Sequence, residues 1–314
     1  MNNSLNKPKN KFKILTILGS PQDKRSNTRA LVEDFLEEAA AAGLKFDHRV
    51  ISLGRKTVLP CRGCWNCTKG KTCPVSRRDD LDEIKAAMLE YDMLILACPV
   101  YTNQVSAQMK ALFDRLFTWC HIFPLLGKYS LSACTTGNDG LKETGFFLEK
   151  MLATYGTSSF GTIYSAGAFA SGDFPRRARA RVRNAALARR VAETVLQNEL
   201  RPVNRMQRRM FKAMKQKMTG IHAINTIRYG EIEGQPRPPR LKMWVMKKIF
   251  KKMAVTDEQL ADWAGNISFE YSWWKRRGWL DTRSFNDLSK RPVPPDFNAR
   301  QLLLGDNPAQ AKAS

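Results

Sequence analysis

Short runs of aliphatic residues, each closed by a turn residue and followed by an amphipathic stretch, recur through the first half of this 314-residue chain. FKILTIL (12–18) ends at Gly19, and DMLILACP (92–99) is the clearest run. Runs of this length without polar alternation read as strands buried on both faces, as in a parallel sheet. Further strands are expected over 46–52, 129–134 and 158–165. Between the first two, TRALVEDFLEEAAAAG places Leu31, Val32, Phe35, Leu36 and Ala39 on one helical face, with Gly43 as the stop. Asp79 and Asp80 offer an N-cap to a helix that turns Leu81, Ile84 and Met88 inward. Val105, Met109, Leu112 and Leu116 mark a helix over 105–118, and another is expected over 141–154. Strands alternating with helices imply a doubly wound five-stranded parallel sheet, which takes ligands at the carboxyl ends of its strands.

Three loops leave that carboxyl edge. The first, GSPQDKRSNT (19–28), opens a helix. Its Ser20, Ser26, Asn27 and Thr28 stand where unpaired N–H donors and the positive end of the helix dipole favour a phosphate. It has neither the G-x-G-x-x-G of a dinucleotide fold nor the G-K-[ST] of a P-loop, so an ordinary capped turn is the competing reading. The second, CPVYTNQ (98–104), leaves the third strand, and the third, CTTGNDG (134–140), leaves the fourth. In combination, G-S-P…S-N-T, P-V-Y and T-T-G resemble the three FMN loops of the flavodoxin-like NAD(P)H-dependent FMN reductase superfamily, over roughly residues 12–170. The resemblance implies FMN, with its phosphate at Ser20, Gln22, Ser26, Asn27 and Thr28. It places the isoalloxazine between Pro99, Val100, Tyr101, Thr102 and Asn103 on one side and Thr135, Thr136 and Gly137 on the other. A flavin needs donors at its ring edge and no crowding carboxylate, and Asp139 is the only acid in the second and third loops. No catalytic acid or base is assigned, because His48, His121 and His222 are scattered.

Four of the seven cysteines fall within thirteen residues, as CRGCWNCTKGKTC. Cys61, Cys64, Cys67 and Cys73 give C-x2-C-x2-C-x5-C, a spacing that wraps one compact centre and suits a [4Fe–4S] cluster. Zinc, which prefers two separated C-x2-C pairs, and unmetallated thiols are the alternatives. Within the superfamily this segment resembles that of the iron–sulfur flavoproteins. Arg62, Lys69, Lys71, Arg77 and Arg78 surround it and favour thiolates. Cys98, Cys120 and Cys134 read as small buried hydrophobes.

The charge is strongly positive, with 52 Lys and Arg against 29 Asp and Glu, a net +23. Seven arginines and no acid lie between Arg176 and Arg190, and residues 201–253 hold 15 basic residues against Glu231 and Glu233. Such blocks attract anions, whether acidic proteins, anionic lipid or nucleic acid. Met206, Met210, Met214 and Met218 recur among the basic residues. After a break over 230–240, Met243, Met246, Ile249, Phe250 and Met253 share a face opposite four lysines. Packing of these stripes on the rest of the chain is the first expectation for them, and peripheral contact with an anionic membrane the second. No nucleic-acid-binding motif accompanies the charge.

These observations divide the chain into a polar tail (1–10), a flavodoxin-like FMN-binding domain (11–200) with a cysteine-rich insertion at 55–78, a basic, mainly helical extension (201–304) and a tail expected to be disordered (305–314). No apolar run approaches the ~20 residues of a membrane span, and the first ten residues carry no secretory pattern, so a cytoplasmic protein is expected. The functional expectation is an FMN-dependent oxidoreductase passing electrons between a [4Fe–4S] cluster and FMN to a small acceptor. An acidic donor such as ferredoxin and assembly into a homo-oligomer follow from the resemblance. The alternatives are an NAD(P)H-dependent FMN or quinone reductase without a cluster, and a non-catalytic electron carrier.

Overall fold

The computed structural model describes residues 11–166, 176–199, 202–229, 240–241, 243–245, 248, 268–280, 282 and 288. The polar tail, the break at 230–239, most of the second amphipathic stretch, Trp263 and the segment from 305 lie outside the described residues. The chain divides into two compact units, Met1–Cys61 with Val75–Pro202, and Arg62–Pro74 with Val203–Ser314. The cysteine segment therefore groups mainly with the C-terminal extension, whereas the sequence pattern makes it an insertion of the sheet domain.

In the first unit, β1 (Phe12–Leu18), β2 (Phe46–Ser52), β3 (Met93–Pro99), β4 (Tyr129–Thr136) and β5 (Ser158–Ala166) form one sheet, ordered β2-β1-β3-β4-β5. Every neighbouring pair is parallel. Reversal of strand order beside β1 makes this the doubly wound, flavodoxin-like topology, with its ligand crevice at the carboxyl edge. Both faces are covered. Ile14, Leu18, Met93, Ile95 and Ala97 join one apolar cluster with Leu31, Phe35, Ala188 and Val191. The alternate residues Leu15, Ile17, Leu94 and Leu96 are equally buried, as the period of two requires of a sheet covered on both sides.

The connecting helices are α1 (Asn27–Ala41), α2 (Leu81–Glu90), α3 (Ala107–Arg115), the short α4 (Trp119–Ile122) and α5 (Leu141–Thr154). The expected helix over 105–118 starts later because Ser106, with an extended backbone, is its N-cap and accepts from the Met109 N–H at 3.3 Å. The arginine run forms α6 (Arg177–Leu196), which packs on α1. Part of its charge is matched locally. Arg177 makes two bonds, 2.7 and 2.8 Å, to the buried Asp34, and Arg181 bonds Glu37 and Glu38 at 2.8 and 2.7 Å. Two of the seven arginines thus fasten α6 to α1.

In the second unit, α7 (Arg205–Tyr229) buries Gln207, Phe211, Met218 and Ile221, and leaves Arg205, Arg208, Arg209 and Lys212 exposed. It packs against α8 (Ser268–Arg276). Trp274 of α8 stacks on Phe211 with ring centroids 6.0 Å apart and meets Trp279 edge-on at 5.7 Å. Among the described residues no helix is long and apolar enough to cross a membrane.

Candidate functional site

The three loops at the carboxyl edge are tied to one another in pairs. The first meets the N-cap of α3, just past the second, where the buried Ser106 hydroxyl donates to the Gly19 carbonyl at 2.7 Å. The first and third meet where the hydroxyls of Thr28 and Thr135, both buried, bond at 2.6 Å. The second and third meet where the Val100 N–H donates to the Thr135 carbonyl at 2.8 Å. Gly140 strengthens that last junction. It sits at φ +78°, and a Cβ there would lie 2.7 Å from Asn103 Cα and 2.8 Å from Val100 Cγ1. Backbone angle and close approach both demand glycine.

In loop one, Ser26 N-caps α1 by accepting from the Arg29 N–H at 3.4 Å, and the Ser20 hydroxyl accepts from Gln22 N–H at 3.3 Å. Both serines are buried, Asn27 is half-buried and Gln22 is exposed. The N-terminus of a 15-residue helix thus opens at the sheet edge, as an anion site requires. The Thr28 side chain turns inward to Thr135, so these two expected ligands serve as a strut in this structure. Asp23 is an acid inside the expected phosphate loop. Its backbone has φ +50°, its side chain is buried, and Arg29 (3.2 Å) and Arg55 neutralise it.

Loop two is a tight hairpin. Tyr101 and Gln104 exchange backbone hydrogen bonds at 2.8 and 3.0 Å around Thr102 and Asn103, whose φ angles are +48° and +59°. Two successive left-handed residues make the turn that Asn-Gly normally occupies. Keeping the β-branched Thr there costs about 1–3 kcal/mol, a strain that concentrates at ligand sites, whereas Asn adopts this conformation readily. Tyr101, Thr102 and Asn103 are exposed, and Pro99 and Val100 half-buried. In loop three the Thr136 hydroxyl donates to the Asp139 carbonyl at 2.6 Å, Gly137 is half-buried, and the Asp139 carboxylate accepts from Gly140 N–H at 2.7 Å.

Beneath the loops lie two thiols. Cys98 accepts from the Ser106 N–H at 3.3 Å, and Cys134 donates to the Cys98 carbonyl at 3.3 Å. Burial pushes the Cys98 thiol up to about 11 and the Cys134 thiol higher still.

Of the four clustered cysteines, Cys61 and Cys64 are exposed, Cys67 and Cys73 half-buried, and none is in a disulfide. Among the described residues no three His, Cys, Asp or Glu are gathered as a metal site. The residues flanking the segment are pinned together. Arg115 donates to the Leu59 carbonyl at 2.9 Å and to Asp79 at 2.5 Å, and Asp79 accepts from the Leu59 N–H at 3.0 Å. Both charged side chains are buried. Ser106, Asp23, Arg115 and Gly140 are not marked by the sequence pattern, because each acts through a distant backbone or charge partner. The serine before the α3 apolar pattern is the one local signal.

Sheet order and loop geometry define a flavodoxin-like α/β protein with three loops joined at one sheet edge. The family of NADPH-dependent FMN reductases matches residues 12–171, half of the chain, and this chain belongs to it. It is 33% identical over 151 residues to an iron–sulfur flavoprotein of Archaeoglobus fulgidus, covering 48% of this chain and 66% of that protein. It is 43% identical over 104 residues to an iron–sulfur flavoprotein of Methanocaldococcus jannaschii, covering 33% and 51%. A third, from Methanosarcina thermophila, is 38% identical over 104 residues, covering 33% and 52%. The chain spans between about half and two thirds of the length of these relatives.

Proposed function

We propose that this chain is an FMN-dependent oxidoreductase that moves electrons between FMN and a [4Fe–4S] cluster on Cys61, Cys64, Cys67 and Cys73, and on to a small acceptor. The observation that carries the FMN reading is the pairwise locking of three loops at one sheet edge, with a strained, exposed hairpin at Tyr101–Gln104. Family membership and the names of the relatives support it.

Bound FMN supplies one- and two-electron chemistry, and a cluster supplies single electrons. The rest is done by the chain. The N-terminus of α1 offers its dipole and backbone donors to the phosphate, with Ser20, Gln22, Ser26 and Asn27 at its margin. Pro99, Val100, Tyr101, Thr102 and Asn103 form one wall for the ring, and Thr135, Thr136 and Gly137 the other. Gly140 keeps the two walls apart by no more than a backbone contact. Of the acids at these loops, Asp23 is paired with Arg29 and Arg55, and Asp139 accepts from the Gly140 N–H at an exposed position.

The cysteine segment fits a cluster in donor type and number, since four thiols outside any disulfide match the four thiolates that hold one. The segment must draw those sulfurs together on loading, because they are not gathered beforehand. The exposed arginines of α6 and α7 suit an acidic electron donor such as ferredoxin by long-range steering. Assembly into a homo-oligomer belongs to the same reading.

The description of the matched family favours one second reading, an NAD(P)H-dependent FMN or quinone reductase whose cysteines carry no metal. Iron and sulfide analysis with a visible spectrum of anaerobically purified protein separates the two. The expected result is about four iron and four sulfide per chain with flavin bands. Flavin bands with little iron, bleached rapidly by NADPH, would instead support the second reading.

A further inference from the structure

The C-terminal extension lies beyond the matched family region, and its helix α8 packs on the cysteine segment within the same compact unit. The contact is local and specific. Residues 66–69 form a single tight helical turn, closed where Lys71 N–H donates to the Asn66 carbonyl at 2.9 Å and Gly70 N–H to the Cys67 carbonyl at 3.3 Å. Gly70 ends the turn at φ +71°, and a Cβ on it would sit 3.1 Å from the Phe269 ring of α8. Thr68 inside the turn is fully buried and donates to the Trp65 carbonyl at 2.7 Å.

The next residue of α8 anchors the helix to α7. Glu270 is fully buried and pairs with Lys217 at 2.7 Å, while Trp274 stacks on Phe211. The helix is therefore bound to α7 by charge and by aromatic contact, and it presses Phe269 onto the turn between Cys67 and Cys73. Exposure of the four cysteines follows this contact. Cys67 and Cys73, on either side of Gly70, are half-buried, while Cys61 and Cys64, upstream of the turn, are exposed.

We infer that α8 is an intramolecular cover for the inner half of the cysteine segment, with Phe269 as the positioning residue. It holds the 66–70 turn closed, shields Cys67 and Cys73, and leaves Cys61 and Cys64 as the pair that solutes reach first. The inference stands on side-chain packing and concerns the segment with its thiols unmetallated.

The test is site-resolved labelling of the reduced, metal-free, full-length protein by a short pulse of N-ethylmaleimide, read by mass spectrometry. In the wild type Cys61 and Cys64 should label about tenfold faster than Cys67 and Cys73, as expected where attack on a covered site awaits local opening. Phe269→Ala should accelerate Cys67 and Cys73 several-fold (about three- to tenfold) and leave Cys61 and Cys64 within about twofold. Phe269→Leu, which keeps an apolar side chain over Gly70, should restore most of the protection. Equal labelling of all four cysteines in the wild type would overturn the inference. So would unchanged labelling of Cys67 and Cys73 in Phe269→Ala. Emission from the buried Trp274 and Trp279 reports whether the unit stays folded. If Phe269→Ala loses that signal, Phe269→Leu and the wild type decide the question, and poor protection by leucine together with uniform wild-type labelling refutes the cover.

Discussion

The two sets of cysteines in this chain sit in opposite physical environments. Cys98 and Cys134 end β3 and β4, side by side in register, under the loops of the FMN reductase fold. They are buried, hydrogen-bonded to Ser106 and to backbone, and held as neutral thiols by desolvation. Cys61, Cys64, Cys67 and Cys73 lie in a segment of left-handed turns at Gly63, Trp65 and Gly70, with basic residues as neighbours in the sequence, and are open to solvent to varying degrees. The same side chain is thus buried packing in one place and open to solvent in the other. What separates them is burial, not spacing alone.

The largest expected effect follows from that contrast. At pH 8 a thiol at about 11 is roughly 0.1% thiolate, and Cys98 is buried where Cys61 and Cys64 are exposed. Cys98 should therefore alkylate more than about a hundredfold more slowly than Cys61 or Cys64. Its rate should rise about tenfold per pH unit until near pH 11, as long as the protein remains folded. Peptide mass spectrometry after timed alkylation measures this. Comparable rates for Cys98 and Cys61 at pH 8 would remove the distinction.

Next in size is the clamp at the neck of the cysteine segment. Arg115→Met strands Asp79, a carboxylate with no side-chain exposure, and should lower unfolding stability by about 3–5 kcal/mol in denaturant titration. Nε and Nη2 of Arg115 have no hydrogen-bond partner among the described residues, so the arginine is itself incompletely satisfied. Replacing Arg115 and Asp79 together by apolar residues should accordingly cost much less than either single change.

Thr28→Val sharpens the role of the inward strut. It leaves the Thr135 hydroxyl buried without its partner and should cost about 1–3 kcal/mol of stability, with FMN affinity falling less than tenfold. A tenfold or greater loss of affinity at unchanged stability would make Thr28 the phosphate ligand that the sequence pattern suggests.

β1 and β3 are readable in the sequence as near-continuous aliphatic runs, and all five strands appear where they are expected. The loops are readable as loops, since parallel strands put their carboxyl ends together. How the loops lock is not readable. Ser106 reaches Gly19 across 87 positions, and Thr28 reaches Thr135 across 107, and no local periodicity encodes such pairs. The arginine run is legible as charge, but its helical form and its pairing with Asp34, Glu37 and Glu38 depend on α1 lying beside it. The grouping of the cysteine segment with the C-terminal helices depends on contacts such as that of Gly70 with Phe269, about two hundred residues away, which spacing within the segment could not signal.

The central claim is that the three locked loops hold FMN. Titration of the flavin-free protein with FMN, followed by quenching of flavin fluorescence, tests it in the wild type and in Gly140→Val. The variant introduces a side chain at φ +78° against Asn103 and Val100. The account predicts saturable binding of about one FMN per chain, weakened by about tenfold or more in the variant while the fold is retained. Absence of saturable binding in the wild type, or equal affinity in a folded Gly140→Val, would contradict it.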